Sequence, residues 1–142
     1  MTVADVMTTD LVTAAREEPL QAAVSRMLDH GVGSVLVVAD EDLVGLVTET
    51  DVLAMGTSFE RPFEELTVSR AMSTNLVTTT PETPIEDAVG TLRDHGVKKL
   101  PVLDEGDLVG VLTLTDVVYH RVEDEETRSL LAVRTPTLGS EP

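Results

Sequence analysis

The sequence predicts an α/β chain of the α+β type: two tandem β-α-β-β-α units packed with pseudo-twofold symmetry. Two observations predict it. First, the chain matches itself at a constant offset of 65 residues without a gap. ADVMTTDLVTA (4–14) resembles SRAMSTNLVTT (69–79), EPLQAAVSRMLDHGV (18–32) matches TPIEDAVGTLRDHGV (83–97), and EDLVGLVTETDVL (41–53) matches GDLVGVLTLTDVV (106–118). About 22 of the 49 positions from Asp5 to Leu53 are identical to their partners, far above chance. Second, each copy runs from helical spacing into two β-rich stretches. A unit of roughly 50 residues with a three-stranded sheet buries little surface alone. Two copies covering each other's sheet faces would create two equivalent clefts at their junction.

The elements follow in order. A short strand is expected at Leu11–Thr13. A helix follows from Leu20 to His30, with Leu20, Ala23, Val24, Met27 and Leu28 at helical spacing. Pro19 suits its first turn and Gly31 its C-terminal stop. SVLVV (34–38) and LVGLV (43–47) read as a hairpin across the acidic turn ADED. A second helix opens at Thr48 and runs to about Met55. The other copy gives a strand at Leu76–Thr78, a helix at Ile85–His95, strands at Leu100–Leu103 and Leu108–Leu112, and a helix from Thr113. The expected domains are repeat one (1–55), a linker (56–67), repeat two (68–122), and a C-terminal helix and tail (123–142).

Composition limits the function. The 142 residues hold 26 Asp and Glu against 10 Lys and Arg, a net charge of −16. That opposes binding to a nucleic-acid backbone, which needs a basic face, and disfavours anionic membranes. The acid is spread along the chain, as on a solvated surface. With so little lysine it suggests a protein built for high salt, as in a halophilic archaeon, where self-repulsion is screened within roughly 3 Å at 1 M salt. An ordinary acidic mesophilic protein is the alternative. Without cysteine there is no disulfide framework, zinc-thiolate site or thiol nucleophile. The three histidines lack paired metal-ligand spacing. No signal peptide and no run long enough to span a bilayer is visible, so the expected setting is the cytoplasm.

The motif closest to chemistry is a glycine, two apolar residues and T-x-T-D: GLVTETD (45–51) and GVLTLTD (110–116). A strand ends at the first threonine and a helix begins. Free amides at a helix N-terminus attract an anion, and threonine hydroxyls add donors. The aspartate one turn in could accept from a ribose diol. Equally, T-x-x-D can serve as a helix cap with no ligand. The chain's two lysines, Lys98 and Lys99, stand between a helix and a strand of repeat two, where repeat one has Gly33 and Ser34. In so acidic a chain they read as a phosphate contact. His120 and Arg121 could also reach a phosphate. His30 and His95, at equivalent helix C-termini, read as structural. No set of acid, base and nucleophile converges, so an enzyme is not expected.

These residues resemble a known family. DHGVKKLPVLDEGDLVGVLTLTDVV looks like the core of a CBS domain, DHGVGSVLVVADEDLVGLVTETDVL looks like a second, and the tandem looks like a Bateman module. The resemblance covers about residues 3–120. It implies a β-α-β-β-α repeat and a homodimer. It also implies regulatory binding of an adenosine-containing ligand (AMP, ADP, ATP or S-adenosylmethionine) in clefts between repeats, read out by an unknown partner protein. It assigns ribose to Asp51 and Asp116, and phosphate to Thr48, Thr50, Thr113 and Thr115. Adenine falls to Thr13, Val32 and Gly33, and to Thr78, Val97 and Lys98. Lys98 and Lys99 precede the L-P-V strand, which carries Pro101, and are expected at phosphate. Repeat one lacks that proline and basic pair, so two unequal sites are expected, the lysine-bearing edge favouring phosphate. The competing expectation is a ligand-independent assembly scaffold whose T-x-T-D motifs only cap helices.

Overall fold

The computed structural model describes residues 1–58 and 60–121. The C-terminal helix expected after residue 122 lies outside the described residues. Two compact units divide the chain: Val12–Leu76 forms the body of one, and Met1–Leu11 joins the chain from Val77 onward to form the other. Each unit therefore takes the hairpin of one sequence copy and the Met-Thr or Met-Ser segment that leads the other copy.

In the first unit, β1 (Thr13–Ala14) precedes α2 (Leu20–His30), and β2 (Ser34–Ala39) and β3 (Asp42–Thr48) lead into α3 (Glu49–Ser58). A 3-10 turn at Phe63–Glu65 and a short helix, α4 (Val68–Ala71), follow. The sheet order is β1-β2-β3, with β1 parallel to β2 and β2 antiparallel to β3. α2 begins after Pro19, which is its N-cap, and ends at Gly31 with φ 62. The left-handed turn there lets Val32 N–H reach Met27 O at 3.0 Å. Leu20, Ala23 and Met27 form the buried stripe of α2, packed with Val35, Val37 and Val47. Fully burying one such side chain contributes about 1.5–3 kcal/mol. Aliphatic cores of this kind are what a chain with 2% aromatics must build.

The second unit starts with α1 (Val3–Val6) and continues with α5 (Ile85–His95), β4 (Lys99–Asp104), β5 (Asp107–Thr113) and α6 (Leu114–Arg121). Ile85, Ala88 and Leu92 are buried against Leu100, Val102 and Leu112. Both 11-residue helices have the bounds that their apolar spacing predicts. Several expectations need correction. The first strand lies at Thr13–Ala14 rather than Leu11–Thr13. No strand forms at Leu76–Thr78, where a single parallel bridge, Thr79 to Val102, replaces it. α3 starts one residue after Thr48 and continues to Ser58, through three residues read as linker. Leu66, also read as linker, is buried in the core.

Proline explains the missing strand. In the first unit Leu36 N–H donates to Val12 O at 3.0 Å, the rung that extends β1. The residue 65 places on is Pro101, which has no N–H to give. Only the rungs around Thr79 remain, from Thr79 N to Pro101 O at 3.0 Å and from Leu103 N to Thr79 O at 2.9 Å.

Each hairpin receives a crossing segment through an isolated bridge: Ser73 to Leu46 in one unit, and Thr8 to Val111 in the other. The preceding methionine lies across a strand glycine. A Cβ on Gly45 would stand 2.6 Å from Met72 Sδ, and one on Gly110 would stand 2.7 Å from Met7 Sδ. The glycine of the T-x-T-D motif is thus the floor on which a methionine rests.

Candidate functional site

The last residue of each hairpin and the first turn of the next helix form the same cap twice. In the first unit, Thr48 N–H donates to Asp51 Oδ2 at 2.8 Å and Thr48 Oγ1 donates to the same oxygen at 3.0 Å. Asp51 N–H donates back to Thr48 Oγ1 at 3.3 Å. In the second unit, Thr113 N–H donates to Asp116 Oδ2 at 3.1 Å, and Asp116 N–H donates to Thr113 Oγ1 at 3.0 Å. The leading helical amides are satisfied too: Glu49 N–H by Gly33 O at 3.1 Å, and Leu114 N–H by Lys98 O at 2.9 Å. So T-x-T-D is a reciprocal helix cap in both copies, and such caps stabilise a helix by about 1 kcal/mol. The capping reading of the motif is realised in the fold. A carboxylate accepts at about four positions, so capping alone does not exhaust it.

The other sequence-predicted residues occupy matching positions in the two copies. Gly33 and Lys98 touch the caps through their carbonyls. The next residues, Ser34 and Lys99, stand across the strand pair from Thr48 and Thr113. Val32 and Val97 follow the left-handed glycines and are half-buried. Thr50 and Thr115 are exposed at the helix starts, and Lys98 is exposed beside its cap. Thr13 lies in β1, whereas Thr78 is exposed just before the Thr79 bridge. Two residues stand apart. Pro101 is fully buried in β4, so its influence runs through the backbone rung it removes rather than through its ring. His120 lies near the C-terminus of α6, about 9 Å along the axis from Leu114 at 1.5 Å per residue, and packs edge-on to Tyr119 at 5.4 Å. The structure does not bring it to the cap. His30 and His95 make the matching contacts of structural residues, from Nδ1 to Arg26 O at 3.0 Å and to Thr91 O at 3.1 Å.

Two contacts escaped the sequence reading. Thr8 Oγ1 donates to both carboxylate oxygens of Asp116, at 3.1 Å each. Its signal is the repeated M-T and M-S pair, the second member of which bridges the hairpin strand in both copies and, as Thr8, reaches the cap. The other contact is a clamp at the first strand. Arg26 holds Glu18 through its two terminal guanidinium nitrogens, and Nη1 also donates to Thr13 O at 3.1 Å. Ala15 N–H donates to Glu18 Oε1 at 2.8 Å. The arginine, then the Ala15 amide, hold the Glu18 carboxyl below its ordinary value of 4.5. The positions 65 residues on are Thr83 and Thr91, which cannot form such a pair.

A pocket of about 220 Å³ lies between α2 and α3, lined mainly by aliphatic side chains including Val24, Leu28, Val52 and Leu53. Its lining also takes in Val32 and, from the first T-x-T-D motif, Glu49, but none of the capping residues Thr48, Asp51, Thr113 and Asp116. Among the described residues there is no acidic, histidine or cysteine cluster suited to a metal, and no helix long and apolar enough to cross a membrane.

Comparison with known proteins agrees with this architecture. The CBS domain pattern matches residues 3–56 and 68–123. The CBS domain-containing protein YhcV of Bacillus subtilis is 34% identical over 129 residues, which is 91% of each chain. The solved CBS-domain protein ATU1752 of Agrobacterium tumefaciens superimposes with a TM-score of 0.79 at 25% identity, covering 86% of this chain and all of the other. The CBS domain pair of protein MJ0100, solved with 5′-methylthioadenosine and S-adenosyl-L-methionine, shares the fold at 21% identity and a TM-score of 0.74, covering 83% and 93%. The chain belongs to the CBS-domain family, as a tandem pair.

Proposed function

We propose that this CBS-domain pair is a regulatory module, not an enzyme, that binds an adenosine-containing ligand at its T-x-T-D edges and passes the change to a partner protein. AMP, ADP, ATP and S-adenosylmethionine are the candidate ligands. The observation that carries the reading is the duplicated cap: a half-buried carboxylate, Asp51 or Asp116, is fixed beside an exposed threonine, Thr50 or Thr115, at a helix N-terminus. Amide dipoles there favour phosphate, and the carboxylate offers acceptors to ribose hydroxyls. Thr48 and Thr113 would then serve cap and phosphate together. Thr13, Val32 and Gly33, and likewise Thr78 and Val97, supply backbone for adenine. Lys98 and Lys99 add positive potential at the second edge. That CBS pair MJ0100 holds two adenosyl compounds supports the ligand class through the shared fold alone.

The protein works as a homodimer in the cytoplasm. Its charge of −16 suits a salt-rich interior, and added KCl should raise its unfolding midpoint. A regulatory response requires the ligand to favour one of two conformations by a differential affinity.

One observation favours a second reading. The caps are complete without a ligand, as an assembly scaffold would have them. Calorimetric titration in molar KCl with the four ligands separates the two. Binding that weakens in Lys98→Ala/Lys99→Ala and is abolished in Asp51→Ala/Asp116→Ala supports the sensor. No heat from folded, ligand-stripped protein sinks it in favour of the scaffold.

A further inference from the structure

The two caps differ in how much of the carboxylate the protein itself consumes. At Asp51 the Thr48 donors both converge on Oδ2, and among the described residues no hydrogen bond reaches Oδ1. At Asp116 the Thr113 amide takes Oδ2, and the Thr8 hydroxyl stands 3.1 Å from both oxygens. A hydroxyl equidistant from two carboxylate oxygens lies on the plane that divides the group between them, and so stands across both acceptors at once. That is the approach a vicinal diol needs to donate one hydroxyl to each oxygen.

Thr8 is held in this position by its backbone. Its N–H donates to Val111 O and its carbonyl accepts from Val111 N–H, both at 2.9 Å. A β-branched side chain has few χ1 positions available, so the hydroxyl stays over Asp116 unless χ1 rotates. The equivalent residue, Ser73, has the same backbone bridge, to Leu46 at 2.9 and 3.0 Å. Its side chain is not β-branched and is exposed, and among the described residues no hydrogen bond joins it to Asp51.

We propose that Thr8 determines which cap binds first: its hydroxyl occupies the diol position of Asp116, so a ligand with a vicinal diol engages Asp51 first and Asp116 only by displacing Thr8. The proposal rests on the reading of the caps as ligand sites. It reverses the preference expected from the lysines alone, because the edge carrying Lys98 is the one whose carboxylate is closed. The lysines then bear on phosphate at a site that opens second.

The test uses the full chain titrated with AMP and with 2′-deoxy-AMP, which lacks the diol. In an Asp51→Asn background, Thr8→Val removes the competing hydroxyl while keeping a β-branched side chain. AMP should then bind about tenfold more tightly, the equivalent of one charge-assisted hydrogen bond, and 2′-deoxy-AMP should show no gain. The converse variant, Ser73→Thr, leaves Thr8 intact and should weaken AMP at Asp51 about tenfold in an Asp116→Asn background. Unchanged or weaker AMP binding on Thr8→Val, or an equal gain for both nucleotides, overturns the proposal and leaves the caps as ligand sites. Absence of AMP binding from the wild type and every variant overturns the proposal and the cap reading together.

Discussion

The sheet edge around β1 and its counterpart around Thr79 descend from one sequence and are built differently. At the first, Leu36 supplies an N–H, Val12 accepts it, and the Arg26–Glu18 pair fixes Thr13 to α2. At the second, Pro101 supplies no N–H, Thr83 and Thr91 replace the ion pair, and one bridge remains. The caps beside these edges diverge too, one carboxylate open and the other covered by Thr8. The lengths of α2 and α5, the left-handed glycines that end them and the hairpin registers are the same in both copies. Divergence is thus concentrated at the strand edge and the cap, where the candidate ligand residues lie. The apolar scaffold between has kept its form because packing tolerates little change of volume.

The comparison is broken most severely at the methionine floors. Gly110→Ala should destabilise by about 2 kcal/mol, since its Cβ meets both Met7 Sδ and, at 3.0 Å, the backbone carbonyl of Thr8. For Gly45→Ala the three nearest atoms all belong to the flexible Met72 side chain, and the cost should be about 1 kcal/mol. Denaturant unfolding of the two variants decides this, and equal losses would refute the distinction. Next, Leu36→Pro should make the first edge resemble the second. It removes the rung to Val12 at a cost of about 1–2 kcal/mol beyond the packing change, and hydrogen exchange should show Val12–Ala14 losing protection with the hairpin intact. Collapse of the hairpin would show that the rung does more than extend β1.

The clamp gives a pH-dependent difference. Glu18 has a lowered folded value, so its contribution to stability is complete above its ordinary 4.5 and is lost as pH falls through the folded value. Arg26→Ala should flatten that part of the stability–pH curve and cost up to about 1 kcal/mol near neutrality, as expected for a half-exposed pair. An unchanged slope would mean that the pair persists in the unfolded chain. The smallest effect belongs to the hairpin turns. Glu41 has φ 73 where its counterpart, Gly106, has φ 89. Glu41→Gly should stabilise by about 0.5 kcal/mol, the relief of left-handed strain less the entropy that glycine adds to the unfolded chain. A lower melting temperature would contradict it.

Much of this was legible in the chain itself. Apolar spacing located both long helices because the buried stripe is a local, periodic signal. T-x-T-D marked the caps because a cap is made within four residues. The short strands were misplaced because their rungs depend on a donor more than twenty residues away, present at Leu36 and absent at Pro101. Thr8 was passed over for the same reason: its partner, Asp116, is 108 positions distant. The helix at Val3–Val6 could have been found, since Thr2 and Asp5 have cap spacing and the Thr2 amide does donate to Asp5 at 2.9 Å. The L-P-V pattern points to Pro101 but does not reveal that its ring is fully buried in β4.

The crossing of Met7 onto Gly110 and of Met72 onto Gly45 bears on the protein's ancestry. A half-length ancestor would have carried a leading segment and a hairpin that do not serve each other. To cover its own strand glycine it would have had to borrow the segment of a second molecule and lend its own in return. Duplication would then turn that exchange between two molecules into a covalent one, with the segment that follows α3 taking over from the encounter. A gene cut between the two copies should therefore yield halves that are soluble together and insoluble apart.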